Sequence, residues 1–239
     1  MSGEVGGSRS DSEKREAGLA ALAEIESGMT IGLGTGRTVR FFLEGLARLL
    51  DDGALHDVRG VPTSSDTEGR CRALGIPTVE LSDGLALDVA VDGADEVSPA
   101  LDLVKGLGGA LLREKIVVQA ARRFVVIVDA AKEVVSLGEH SLIPVEVEPF
   151  AWSSHLSFFR SLEAEPIPRK TVSGEMVRTD NGNYLIDLRF TSGIRSPDDL
   201  ELALRSRAGV VETGLFLQMA DRVFVGTVDG VMRRDRGGL

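Results

Sequence analysis

Short apolar runs alternate with segments of helical periodicity through the first half of the chain, and this alternation limits the fold more than any other feature. Residues 29–33, 57–61, 77–81, 87–91 and 124–128 read as strands, and 14–27, 39–50, 67–74 and 111–122 read as helices. Strands that alternate with helices are joined by right-handed crossovers. The result is a mostly parallel sheet covered on both faces. The expected class is therefore α/β, with a doubly wound, mostly parallel sheet.

The pattern changes after Gly138. Residues 144–147 read as a strand, 151–162 as a helix, and 169–178 and 184–190 as two strands. Asp180-Asn181-Gly182-Asn183 joins those two, and Asn-Gly signals a hairpin because both residues tolerate positive φ. A helix over 200–207 is entered through Ser196-Pro197-Asp198-Asp199, with Ser196 as N-cap and Pro197 at the first helical position. Residues 210–217 form the last strand of this block. The order β-α-β-β-α-β is that of a small ferredoxin-like α+β domain. A further apolar strand, 223–226, returns to the first sheet. The expected organisation is a Rossmann-like catalytic domain over 13–137 and 218–235, a second, smaller ferredoxin-like domain over 138–217, and a flexible, Gly/Ser-rich N-terminus over 1–12.

Charge narrows the function. The 239 residues carry 27 Lys and Arg against 37 Asp and Glu, a formal net charge of −10. That excess repels phosphate backbones and anionic lipid, so neither nucleic acid nor a membrane surface is an expected partner. A local cluster of N–H donors overrides the global field for a small anion. With hydrophobic residues at 43%, a sizeable core is available. The single cysteine, Cys71, permits no internal disulfide. It fits a reducing, cytoplasmic compartment and reads as a small buried apolar residue. No apolar run approaches the ~20 residues that span a bilayer, and the first residues lack the apolar core of a signal peptide. His56, His140 and His155 are scattered, and without a Cys/His cluster no metal site is expected. No nucleophile-elbow signature accompanies a Ser-His-Asp set. Trp152, with Phe150, Phe158 and Phe159, reads as core of the smaller domain.

Three segments can carry chemistry. Gly32-Leu33-Gly34-Thr35-Gly36-Arg37-Thr38 stands at a strand-to-helix junction, where outward-pointing N–H groups favour an anion. Thr35 and Thr38 offer hydroxyl donors. A dinucleotide fingerprint needs Gly where Arg37 stands and an acid at the end of the next strand, which instead ends in Thr63-Ser64-Ser65. A tight turn with no ligand is the plain alternative. Val91-Asp92-Gly93-Ala94-Asp95-Glu96 follows a buried strand, at the end where open α/β sheets bind ligands. Its acids can hold sugar hydroxyls, shuttle protons, bind a metal, or simply form an Asx-type turn. In the third segment, Lys105 precedes Gly106-Leu107-Gly108-Gly109, which opens a helix. At helical spacing Ala110, Leu111, Glu114, Val117, Val118 and Ala121 share one face. Glu114 is thus a carboxylate on an apolar stripe, and desolvation there raises a carboxyl pKa towards that of a general base. The alternative is a first-turn Glu on the helix dipole, with Arg113 and Lys115 as surface charges.

Taken together, these motifs resemble type A ribose-5-phosphate isomerase from about residue 14 to 231. The likeness rests on Gly32-Leu33-Gly34-Thr35-Gly36, Asp92-Gly93-Ala94-Asp95-Glu96, Lys105 with its loop to Arg113-Glu114-Lys115, Val128-Asp129-Ala130-Ala131-Lys132, Pro144-Val145-Glu146-Val147 and Thr179-Asp180-Asn181-Gly182-Asn183. It implies interconversion of D-ribose 5-phosphate and D-ribulose 5-phosphate through an enediolate, in the non-oxidative pentose phosphate pathway, with no cofactor and no metal. Residue by residue it implies Glu114, Asp92, Asp95 and Lys105 as catalytic. Thr35, Gly36, Arg37, Thr38, Gly106, Leu107, Gly108 and Lys132 are implied as substrate-binding. It also implies a homo-oligomer, a dimer or tetramer. The family usually has Ser where Arg37 stands and Gly where Leu107 stands. Arginine there adds a charged phosphate contact or fills the pocket, and leucine restricts φ and adds bulk.

Two other readings compete. A non-catalytic sugar-phosphate sensor would carry a DNA-binding domain, whereas only about thirty residues, acidic overall, precede the first glycine loop. A related enzyme would act on another sugar phosphate, an amino-sugar phosphate or acyl-CoA. The aspartate pair with the Lys-loop-Glu arrangement favours the pentose isomerase over both.

Overall fold

In the computed structural model, which describes residues 4–237, the strands in chain order are β1 (Thr30–Leu33), β2 (Arg59–Pro62), β3 (Val89–Asp92), β4 (Glu96–Val97), β5 (Leu103–Val104), β6 (Phe124–Asp129), β7 (Ile143–Val147), β8 (Glu165–Pro168), β9 (Tyr184–Arg189), β10 (Val210–Thr213), β11 (Leu215–Phe216), β12 (Arg222–Thr227) and β13 (Gly230–Asp235). The helices are α1 (Glu4–Ala20), α2 (Arg37–Asp51), α3 (Ser65–Leu74), α4 (Leu111–Ala120), α5 (His155–Ser161) and α6 (Pro197–Arg205). Compactness divides the chain into two units, the first built from residues up to 94, 113–132 and from 219 onward, the second from 95–112 and 133–218. Segment 95–112 thus groups with the second unit, unlike the expected boundary, because β4 pairs with β5 and β5 pairs in turn with β11.

The first unit is a six-stranded sheet in the order β13-β12-β6-β3-β1-β2. Its strands run parallel except β13, which is antiparallel to β12. Every residue of β1, β3 and β6 is buried. Strands covered on both faces read as continuous apolar runs, which is why the sequence showed them plainly. Ile31, Leu33, Phe42, Leu46, Val91 and Ile127 form the centre of the core. Residues 77–81 contribute only a bridge from Thr78 to Gly60, not a full strand.

The N-terminal expectation is corrected. Residues 1–3 lie outside the described residues, and 4–12 belong to α1 rather than to a flexible tail. The cause is tertiary. Ser10 Oγ donates to Asp129 Oδ2 at 2.7 Å and the Lys14 amine pairs with the same oxygen at 3.1 Å. The helix passes so close to β12 that a Cβ on Gly226 would collide with the Glu13 backbone.

The second unit has a four-stranded antiparallel sheet, order β10-β7-β9-β8, and a three-stranded one, order β11-β5-β4. The chain order β7-α5-β8-β9-α6-β10 is ferredoxin-like. Val145, Ile186, Leu188, Phe159 and Leu204 pack its core, with Trp152 and Phe158 against it, whereas Phe150, expected there, is exposed. Two elements differ from expectation. The strand expected over 169–178 lies earlier, at Glu165–Pro168, where an edge position tolerates two prolines. The strand expected over 210–217 breaks at Gly214 and serves both sheets. A Cβ on Gly214 would strike the Lys105 carbonyl and stand 2.7 Å from Pro144 Cδ. In the Asn-Gly hairpin only Gly182 takes positive φ, at 84°. Among the described residues no helix is long and apolar enough to cross a membrane.

Candidate active site

The turn after β1 is shaped by its neighbours in the parallel sheet. Gly34 N–H donates to the Val91 carbonyl at 2.9 Å, and Thr35 N–H donates to Asp92 Oδ1 at 3.0 Å. Gly34 must lack a side chain, because a Cβ there would collide with the Asp92 carboxylate. Gly36 caps α2 with φ at 116°, a value that favours glycine, and nothing stands within 4 Å of where its Cβ would be. Gly36 and Arg37 are exposed and Thr38 half-buried at the N-terminus of α2. Sequence reasoning missed what surrounds Thr35. Its hydroxyl lies 2.8 Å from Thr63 Oγ1, 2.8 Å from Ser64 Oγ and 3.1 Å from Thr67 Oγ1. Thr67 Oγ1 also donates to the Gly34 carbonyl at 2.8 Å. The available signal was Ser64, the N-cap of α3, which accepts from Thr67 N–H at 3.1 Å.

The acids after β3 have separate duties. Asp92 is 1% exposed and also accepts from Gly93 N–H at 2.7 Å. Glu96, equally buried, accepts the backbone N–H groups of Gly138, His140 and Ser141 and so holds that loop. Asp95 is half-buried, and its Oδ2 accepts Leu107 N–H at 3.0 Å.

The Lys105 loop lies in the second unit with Asp95. Lys105 is buried, its N–H donates to the Gly214 carbonyl at 2.9 Å, and its amine stands 5.4 Å from the centre of the Phe216 ring. Gly106 and Gly109 take φ of 99° and 87°, and Gly109 N–H donates to the Gly106 carbonyl at 2.9 Å. The left-handed positions therefore fall on glycines, and Leu107 occupies a turn position outside that region, with its side chain half-exposed. The φ restriction expected of leucine carries no cost here. The Leu107 carbonyl accepts from Arg169 Nη1 at 2.9 Å, a contact the sequence did not suggest. Around Gly108 there is open space.

Glu114 lies in the first turn of α4 and is 5% exposed, on the face it shares with Leu111, Val117 and Val118. Lys115 is also buried, against the surface position that one reading allowed. Gly32 lets α4 approach β1, since a Cβ there would be 2.5 Å from Val117 Cγ1. Lys132 ends a short turn, Ala130–Lys132, directly after β6. The structure thus joins Thr35 to Asp92 in the first unit, which also carries Arg37, Thr38, Glu114 and Lys132. In the second unit it joins Asp95 to the loop of Lys105, Gly106, Leu107 and Gly108. Among the described residues no group of three or more His, Cys, Asp or Glu could hold a metal ion. Burial pushes the Cys71 thiol up to about 11, which keeps it protonated and unreactive.

The family described as ribose 5-phosphate isomerase A (phosphoriboisomerase A) matches residues 59–230. The chain is 44% identical to the ribose-5-phosphate isomerase A of Desulfatibacillum aliphaticivorans over 221 residues, covering 92% of this chain and 96% of that one. Against the Roseiflexus castenholzii protein of the same name it is 47% identical over 219 residues, 92% and 93% of the two chains. Among solved structures, a D-ribose-5-phosphate isomerase in complex with phospho-erythronic acid superposes with a TM-score of 0.91 at 42% identity, covering 94% of this chain and 98% of that one. The ribose 5-phosphate isomerase of Plasmodium falciparum gives 0.92 at 35% identity, covering 95% and 100%.

Proposed function

The chain belongs to the ribose 5-phosphate isomerase A family and is an isomerase; we propose that it interconverts D-ribose 5-phosphate and D-ribulose 5-phosphate through a cis-enediolate, with Glu114 carrying the proton. The observation that carries this reading is a carboxylate only 5% exposed in the first turn of the helix that follows buried Lys105 and its glycine loop. Moving a carbonyl from carbon 1 to carbon 2 removes a proton from carbon 2 and returns one to carbon 1. A single carboxylate on one face of the open-chain sugar does both. Positioned proton transfer of this kind contributes ~10²–10⁴-fold.

The remaining roles follow from charge. Deprotonation moves negative charge onto oxygen, and Lys105 with the amides of its loop, Gly106 and Gly108, stabilises it. The Leu107 amide is occupied by Asp95, so Leu107 contributes to substrate binding through its exposed side chain. Asp92 and Asp95 hold sugar hydroxyls and assist ring opening. The N-terminus of α2, with Gly36, Arg37 and Thr38, takes the phosphate together with Lys132, and Thr35 fixes that turn. Phospho-erythronic acid, bound by the relative, carries a carboxylate and a phosphate on one short polyol. A site suited to it also suits an enediolate phosphate. The reading further includes a cytoplasmic location, no cofactor, and a homo-oligomer.

The test is turnover of ribose 5-phosphate without added metal, beside a panel of other sugar phosphates and an amino-sugar phosphate. Ribose 5-phosphate is expected to be preferred in kcat/KM. Binding without turnover, or a stronger preference for another member of the panel, would overturn the assignment.

A further inference from the structure

We propose that Arg169 and Asp187 are positioning residues that clamp the Lys105–Gly109 loop and, through it, orient Asp95. The inference rests on the reading of Lys105 and Asp95 as part of the catalytic machinery. It begins from the pairing of β8 with β9, where Ile167 stands opposite Asp187 and Arg169 N–H donates to the Leu185 carbonyl at 2.9 Å. That register sets the guanidinium beside the carboxylate. Arg169 Nε donates to Asp187 Oδ2 at 2.8 Å and Nη2 to Oδ1 at 2.5 Å, with side chains only 19% and 9% exposed. Such a planar fork is rigid, because both ends are fixed and little rotamer freedom remains.

The remaining nitrogen leaves the sheet. Nη1 donates to the carbonyl of Leu107, 62 residues earlier in the chain, at 2.9 Å. The amide of that same residue donates to Asp95 Oδ2 at 3.0 Å, while Asp95 N–H donates to the Val104 carbonyl at 2.8 Å. A continuous series of hydrogen bonds therefore runs from β9 through Asp187, Arg169 and the backbone of Leu107 to the Asp95 carboxylate. The loop also lies against this arginine at Gly109, where an added Cβ would be 3.8 Å from Nη1 and 3.4 Å from Leu185 Cδ1. An ion pair serving the sheet alone would need two of these nitrogens. The third holds a peptide whose residue has its side chain half-exposed, so the loop is shaped by its backbone contacts and not by the identity of residue 107. Leucine is therefore accommodated at position 107.

The test compares kcat and KM for ribose 5-phosphate in Arg169→Lys, in the double variant Arg169→Met/Asp187→Leu, and in Asp95→Asn. The double variant leaves no buried charge unpaired and so retains the fold, as thermal unfolding checks. Lysine lacks the planar fork that meets the carboxylate through two nitrogens and the Leu107 carbonyl through a third. In both Arg169 variants kcat is expected to fall, by up to ~10²-fold in the double variant, with KM within about threefold of wild type. Amide exchange at Leu107 is expected to accelerate in both. A merely structural pair would lower thermal stability and leave kcat and Leu107 exchange alone. A folded double variant with wild-type kcat, or with KM raised and kcat unchanged, overturns the proposal. Asp95→Asn separates the two levels: wild-type turnover there removes the site reading and the clamp with it, whereas an impaired Asp95→Asn beside an unimpaired double variant removes the clamp alone.

Discussion

The turn after β1 and the loop after β5 are both glycine-rich, and each leads into a helix, yet they are held by different means. The first takes its partners from its own parallel sheet: the Val91 carbonyl, the Asp92 carboxylate at the end of β3, and Thr67 just beyond β2. The second is tied to Gly214, at a break between two antiparallel sheets, and to Arg169 beside an edge strand. One conformation follows from a strand-to-helix junction, and the other is imported from distant segments. A phosphate cradle needs only the first kind of support. A loop that stabilises charge in a transition state needs the second, since small misplacements there are costly.

Substitutions sharpen the contrast. Lys105→Met should have the largest effect, a loss of ~10²–10³-fold in kcat/KM, measured with the fold checked by circular dichroism; wild-type turnover would detach the imported loop from the chemistry. Gly34→Ala comes next, because the added methyl must displace Asp92. A loss of about 1–3 kcal/mol in denaturant unfolding is expected for such overpacking, with a fall of up to ~10²-fold in kcat. Unchanged values would mean that the first turn is less tightly specified than its contacts imply. Ser64→Ala removes the α3 cap and a partner of Thr35, and is expected to cost about 1 kcal/mol and to raise KM more than it lowers kcat. A kcat effect without a KM effect would contradict the phosphate role of that turn.

The smallest effect concerns the second unit. Burial, aided by the nearby Arg207 charge, lowers the pKa of His155 below its ordinary 6.5. The unfolded chain therefore binds more protons than the folded one just below pH 6.5. Stability should rise with pH across that window and flatten above it. In His155→Gln the slope should be shallower; an unchanged slope in urea unfolding against pH would assign it to other groups.

The sequence displayed the first turn better than the second for a physical reason. Parallel strands buried on both faces leave apolar runs, and Gly32, Gly34 and Gly36 mark the junction beside them. Glu114 was visible as an acid among Leu111, Val117 and Val118 on one helical face. Arg169 and Asp187 were not, because their pairing depends on the β8–β9 register, and Pro166 and Pro168 disguise β8 as a linker. The early start of α1 was hidden in the same way: its Gly/Ser-rich residues have weak helical propensity, and contacts to Asp129 and Gly226 hold the helix. The burial of Lys115 left no trace, since it lies outside the apolar helical face that Glu114 shares with Leu111, Val117 and Val118.

The central assignment is the proton carried by Glu114. Ribose 5-phosphate incubated in deuterium oxide with wild type and with Glu114→Gln, followed by NMR at carbons 1 and 2, tests it directly. Wild type should form ribulose 5-phosphate and introduce solvent deuterium at the migrating position, and Glu114→Gln should lose both by ~10²–10⁴-fold while remaining folded. Isomerisation and exchange near the wild-type rate in Glu114→Gln would show that another group moves the proton.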